Sequence, residues 1–201
     1  EAVVQAILRL VSQLLGLNRG RVLLPDPDDG SLRIRYAYGL TDDERERGRY
    51  AIGEGITGRV FQTGQIALVQ DIDDEAVYLA RAVERTTLPS EAVAYIAVPI
   101  ILDESPIGVL AVHRLRQRPR PFRRDLALLE VIATFVGQSL RLRQIVAERT
   151  ASLLSENRLL KNRLESHGAR FGIIGQSPAL LQAIEQALQE GGALAEIGRA
   201  H

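Results

Sequence analysis

The chain has 201 residues, and its 25 basic and 25 acidic side chains cancel, so no global field points to nucleic acid or to a membrane surface. It has no cysteine, which excludes disulfides, thiolate metal sites, the usual iron–sulfur clusters and cysteine nucleophiles. The 46 % hydrophobic content suffices for a core in one sizeable domain with an extension, and no apolar run approaches a membrane span.

Val4, Ile7, Leu8, Val11, Leu14 and Leu15 recur at helical spacing, and Gly16 follows as a stop. Residues 21–24 and 32–38 read as strands around Pro25-Asp26-Pro27-Asp28-Asp29-Gly30, a strong hairpin turn. Thr41-Asp42-Asp43-Glu44 has capping-box spacing and predicts a short helix. Next comes Gly53-Glu54-Gly55-Ile56-Thr57-Gly58-Arg59-Val60-Phe61-Gln62-Thr63-Gly64. In it Ile56, Val60 and Phe61 share one face of a helix that Gly64 terminates, and Gly58 lets that helix approach the sheet or a ligand closely. Residues 66–69 read as a short strand. Residues 73–83 read as a helix, with Asp73 as its cap and Asp71, Asp74 and Glu75 favouring its positive end. Residues 93–102 and 107–115 are two long strands joined tightly through Asp103-Glu104-Ser105-Pro106. This order predicts an α+β domain on an antiparallel sheet with flanking helices, residues 1–121.

From Phe122 a single helical pattern runs to Glu165 with one glycine, Gly137, and no proline. Its length predicts a coiled-coil-like helix, residues 122–166, rather than an ordinary globular one. Leu129, Ile132, Val136, Val146, Leu153, Asn157, Leu160 and Leu164 fall on heptad a and d positions, interrupted by Ser139 and Arg143. Leu at d with Asn at a favours a parallel dimer, so a homodimer is expected through these eight residues. His167-Gly168 reads as the end of the helix. Ser177-Pro178 then caps a new amphipathic pattern carrying Leu180, Leu181, Ile184 and Leu188.

The glycine-bounded run together with Tyr95-Ile96-Ala97-Val98-Pro99-Ile100 resembles GAF domains, which are small-molecule sensor modules. With Leu17-Asn18-Arg19-Gly20-Arg21-Val22, Ile107-Gly108-Val109-Leu110-Ala111-Val112 and the segment from Phe171 to Leu180, the chain resembles NifA-type activators of nitrogen-fixation genes, which work with sigma-54 RNA polymerase. The resemblance implies a GAF sensor domain at 1–121, a signalling helix at 122–166 and the start of a truncated AAA+ ATPase module at 167–189. Residues 190–201 do not follow the family pattern. No G-x-x-x-x-G-K-[ST] occurs, so this chain is expected not to be an enzyme. The absence of Met reads as an excised fragment.

The resemblance places a ligand pocket between the sheet and the glycine-bounded helix. Tyr36, Tyr38, Thr57, Arg59 and Tyr95 are candidates for its polar tips, and Ile56, Val60, Val69, Val98 and Val112 for its walls. His113, His167 and His201 are too far apart to form a ligand set, so no metal or cofactor is expected. The arginines from Arg114 to Arg124, interleaved with Pro119 and Pro121, read as a solvated loop rather than a phosphate site. The family implies a small-molecule effector such as 2-oxoglutarate, a PII-type signal protein or an anti-activator as partners, and a cytoplasmic location. It also implies DNA and polymerase contacts made by other domains of the parent. Two alternatives remain open: a GAF module of another signalling protein that binds a cyclic nucleotide or a haem, and a pure dimerisation element.

Overall fold

The computed structural model describes residues 2–115, 121–170, 182–183 and 185–186, the side chains of residues 2 and 164–170 aside. Helix α1, Ala2–Leu15, is ended by Gly16, whose left-handed backbone (φ 64°) returns its N–H to Ser12 O at 3.1 Å. The chain then lays down β1 (Leu17–Pro25) and β2 (Leu32–Ala37) as a hairpin, closed where Gly30 N donates to Asp26 O. The capping box forms as its spacing predicts. Thr41 Oγ1 accepts from Glu44 N and the Glu44 carboxylate accepts from Thr41 N, opening α2, Asp42–Arg47. After β3 (Arg49–Tyr50) comes α3, Gly55–Thr63, which Gly64 terminates in the left-handed conformation with its N–H on Val60 O. Then follow β4 (Ala67–Val69), β5 (Val93–Leu102), β6 (Ser105–Leu115) and α4, Phe122–Arg170.

The six strands form one antiparallel sheet in the order β3-β2-β1-β6-β5-β4. Strand alternation sends successive side chains to opposite faces. On one face Leu23, Tyr95, Ala97, Val109 and Ala111 pack with Ile56 and Val60 of α3. On the other Val22, Ile96, Val98, Leu110 and Val112 pack with Val4, Leu8 and Val11 of α1 and with Leu129, Ala133 and Val136 of α4. Each fully buried aliphatic side chain in these layers stabilises the fold by about 1.5–3 kcal/mol.

Three sequence expectations change. Residues 73–83 form no helix; they belong to an irregular segment with one short 3₁₀ turn, Arg85–Thr87. Asp73 does not cap a helix: its carboxylate pairs bidentately with Arg85, at 2.7 and 2.8 Å. Ile72, Ala82 and Val83 are anchors in the core for a loop that crosses the sheet face. The third change is at the end of α4, which runs on through His167 and Gly168 to Arg170; a glycine within a helix costs only about 1 kcal/mol.

The chain divides into two compact units, residues 1–143 and 144–201. In the first, α4 is fixed to β6 by a buried ion pair, Arg114 Nη1 to Asp125 Oδ2 at 2.6 Å. Leu129 and Val136, the first a positions of the expected dimer seam, are fully buried against their own sheet, with Ile132 partly buried beside them. In these turns the heptad pattern describes intramolecular packing. Val146, Leu153, Asn157 and Leu160, in the second unit, are exposed; the side chain of Leu164 lies outside the described residues. Of the expected ATPase segment only residues 167–170, 182–183 and 185–186 are described, while the tail from Glu190 and residues 116–120 of the arginine-rich loop lie outside the described residues.

Candidate functional site

Arg21 on β1 pairs with Ala111 across the sheet, and Tyr95 on β5 pairs with His113 on β6. This register brings three polar side chains together on the face that α3 covers. Arg21 is 1 % exposed and His113 1 %. A guanidinium stays charged in any protein environment, and burying it demands compensation. Here the compensation is partial. Arg21 Nη1 contacts His113 Nδ1 at 3.3 Å and donates to Arg19 O at 3.3 Å, and its Cζ stands 5.0 Å from the Tyr95 ring centroid. Arg21 Nε has no hydrogen-bond partner, and no carboxylate pairs with this arginine among the described residues.

The arginine sets the histidine tautomer. Because Arg21 can only donate, His113 Nδ1 must accept, so Nε2 carries the proton and donates to Tyr78 Oη at 2.7 Å. Burial first, then the charges of Arg21 and Arg19, holds the imidazole well below its ordinary pKa and therefore neutral. Burial likewise pushes the Tyr78 and Tyr50 phenols up. Thr57 of α3 shares a hydrogen bond with Tyr95 Oη at 2.8 Å, and the Tyr78 and Tyr95 rings lie 5.2 Å apart.

Between these groups lies a cavity lined by Arg21, Tyr50, Ile56, Thr57, Tyr78, Leu79, Ala80 and Tyr95, with about 10 Å³ for the centre of a water-sized sphere. That is room for about one water. Beside it an open groove of about 370 Å³ runs between α3 and β4, lined by Arg59, Val60, Ile66, Val69, Glu75 and Val77 among others. A larger cleft of about 720 Å³ lies at Arg33, Arg35, Arg45 and Arg49, but acids already meet each of these arginines: Asp26, Asp29 and Asp42. The buried cation with no acid of its own marks the smaller cavity as the candidate site.

The ligand set expected from sequence divides between the two faces. Ile56, Thr57 and Tyr95 line the cavity; Val60 and Val69 line the neighbouring groove, and exposed Arg59 stands on its rim. Tyr36, Tyr38, Val98 and Val112 lie on the opposite face, against α1 and α4. For Val98 and Val112 the cause is the pleat itself, since they alternate with Ala97 and Ala111. For Tyr36 it is a β-bulge. Val22 pairs with Tyr36 but Leu23 pairs with Ile34, so Arg35 is an extra residue that flips the pleat. Arg21, Tyr50, Tyr78 and His113 were not in the expected set. Arg21 and His113 carry a legible signal, a charged or polar residue in the middle of an apolar strand. Tyr78 carries none, because its segment has no regular period.

The GAF domain family matches residues 1–140. The chain belongs to the GAF domain family. Its fold agrees with a crystal structure of the A. aeolicus nlh2 GAF domain in an inactive state, at a TM-score of 0.61 and 22 % identity, covering 71 % of this chain and 85 % of that one. The resemblance to nitrogen-fixation activators is borne out by sequence. The GAF chain is 36 % identical over 175 residues to the Nif-specific regulatory protein of Herbaspirillum seropedicae, covering 86 % of this chain and 32 % of that protein. It is 31 % identical over 185 residues to the nitrogen fixation protein VnfA of Azotobacter vinelandii, covering 92 % and 35 %. The chain thus spans about a third of the length of the relatives it matches. Among the described residues no helix is long and apolar enough to cross a membrane.

Proposed function

We propose that this GAF domain is the regulatory sensor of a cytoplasmic, sigma-54-dependent activator of nitrogen-fixation genes, and that it takes a small carboxylate-bearing effector on Arg21. The observation that carries the reading is the buried, acid-free guanidinium, surrounded by the hydroxyls of Thr57, Tyr78 and Tyr95. Arg presents a fork that matches a carboxylate, and an effector carboxylate would supply the charge partner the fold omits. Family resemblance names 2-oxoglutarate as the first effector to try. Occupancy would act through α4 on an ATPase module in the parent protein, which requires the effector to bind the active and inactive arrangements with different affinity. The exposed apolar side chains of Val146, Leu153 and Leu160, with Asn157 between them, support a homodimer through the second part of α4. A PII-type protein or an anti-activator is a further partner suggested by the family, and DNA and polymerase contacts would belong to other domains of the parent. The domain itself is read as a non-enzymatic binding module.

A haem is disfavoured by His113, whose two ring nitrogens are both engaged. The test is a thermal shift with 2-oxoglutarate, glutarate and acetate on the wild type and on Arg21→Met. A ligand that binds only the folded state at 100 times its Kd stabilises it by about 2.7 kcal/mol. A shift present in the wild type and absent in the variant supports the reading; no shift with any carboxylate overturns it.

A further inference from the structure

The closed cavity and the open groove are separated by a single piece of chain. Glu75 and Val77 line the groove, Tyr78, Leu79 and Ala80 line the cavity, and Ile56 borders both. The piece is a loop with fixed ends. Ile72 on one side and Ala82 and Val83 on the other are buried in the core. Across its base Arg85 holds Asp73 bidentately, which ties the two ends of the loop to each other. The span between has only local backbone hydrogen bonds, such as Tyr78 N to Glu75 O at 3.0 Å. Near its far end Ala80 takes a positive φ of 46°, a conformation costly for a residue with a Cβ.

Val77 and Tyr78 pack against the core, Arg81 Nη1 donates to Arg49 O at 2.5 Å, and two side-chain pairs hold the loop down. Tyr78 meets His113 on the sheet. Arg81 grips Glu54, the N-cap residue of α3, with Nη1 to Oε2 at 3.0 Å and Nη2 to Oε1 at 2.5 Å. Glu54 is itself set for the grip, because Oε2 also accepts from Ala51 N at 2.8 Å. The Arg81 guanidinium lies over the Tyr50 ring at the cavity wall, 5.4 Å from its centroid.

We propose that residues 74–81 form a flap between the groove and the cavity, that the Arg81–Glu54 pair is its latch, and that an effector reaches Arg21 through the groove when the latch opens. The proposal rests on reading the cavity as the effector site. The cavity holds about one water while closed, so binding of anything larger requires the flap to move. Opening merges the cavity with the groove of about 370 Å³, which brings the space into the range of small-molecule sites. The latch suits a gate. Its two side chains are 38 % and 35 % exposed, so water competes with them and the pair can break on a useful timescale. The contact also couples the flap to α3, so an effector that displaces Arg81 changes how the N-terminus of α3 is held.

The chain has no cysteine, so Thr57→Cys places a single thiol inside the cavity. The rate of its reaction with methyl methanethiosulfonate, read by mass spectrometry well below the melting temperature, reports flap opening with no effector present. Adding Glu54→Gln should raise that rate about threefold to tenfold. Arg81→Gln should do the same, and it serves as the readout if the Glu54 variant does not fold. The exchanged pair, Glu54→Arg with Arg81→Glu, should bring the rate back toward its starting value. Asp125→Ala, which weakens the domain away from the flap, should leave it unchanged. Equal rates in all variants, or an equal rise with Asp125→Ala, would overturn the latch. Neither result bears on whether carboxylates bind, and the thermal shift alone decides that.

Discussion

A methyl group on Gly58 would stand 2.3 Å from the Ala51 carbonyl oxygen and 3.0 Å from Gly53 N. What the missing side chain admits is therefore the backbone of the turn before α3, not the sheet or a ligand. Gly58→Val should still be damaging, for a reason of geometry: helix propensity alone favours valine over glycine, while the backbone contact forces α3 off its turn. A loss of roughly 1–3 kcal/mol is expected from overpacking, read as a lower midpoint in urea. Because Glu54 and Thr57 shift with the helix, effector response should fall with it. Unchanged stability would mean that α3 is free to move. At Asp29 the carboxylate is held down to about 2 by the hydroxyl and N–H of Ser31, with Arg33 and Arg49 adding to them. An NMR titration should place its midpoint near that value rather than in the ordinary aspartate range.

Among the elements, α4 has the most divided role. Its first turns are part of the domain. Asp125 pairs with Arg114, Gly137 lets the helix approach Ile100, and Arg143 donates to the Tyr36 hydroxyl, with its guanidinium beside the ring. Arg143 breaks the heptad pattern, and this contact gives the reason, because the a position there faces a tyrosine of the same chain. Asp125→Ala removes the buried carboxylate that Arg114 Nη1 meets at 2.6 Å, which should cost about 3–5 kcal/mol, measured by denaturant unfolding. Beyond Gln144 every side chain described up to Arg163 is exposed. If a second copy covers this stretch, Asn157→Leu should tighten assembly and loosen the choice between dimer and higher oligomers, as sedimentation would show. A monomer at micromolar concentration in the wild type would remove the dimer reading.

For the whole molecule, the neutral His113 predicts how stability varies with pH. In the unfolded chain this imidazole takes up a proton as pH falls through about 6.5. In the fold, burial and the charges of Arg21 and Arg19 keep it unprotonated well below that value. The unfolded state then binds more protons, so stability is full above about 6.5 and declines as pH falls below it, by at most about 1.4 kcal/mol per unit. His113→Gln should flatten this slope between roughly pH 5 and 6.5; a slope that persists would place the proton uptake elsewhere. The same network shows how much of the molecule was legible in the sequence. Local chemistry announced the hairpin turn, the Thr41 capping box, the Gly64 cap and the two long strands, since each depends on residues a few positions apart. The glycine run announced the family. The sequence alone thus determined the α+β class and the order of the main helices and strands, residues 73–83 excepted. Only the tertiary structure decided which side chains reach the cavity. One extra residue at Arg35 turned Tyr36 away, cross-strand register joined Arg21 to His113, and an aperiodic loop delivered Tyr78. Such contacts join residues up to 92 positions apart, and a pattern read within one segment carries no information about which distant segment will stand opposite it.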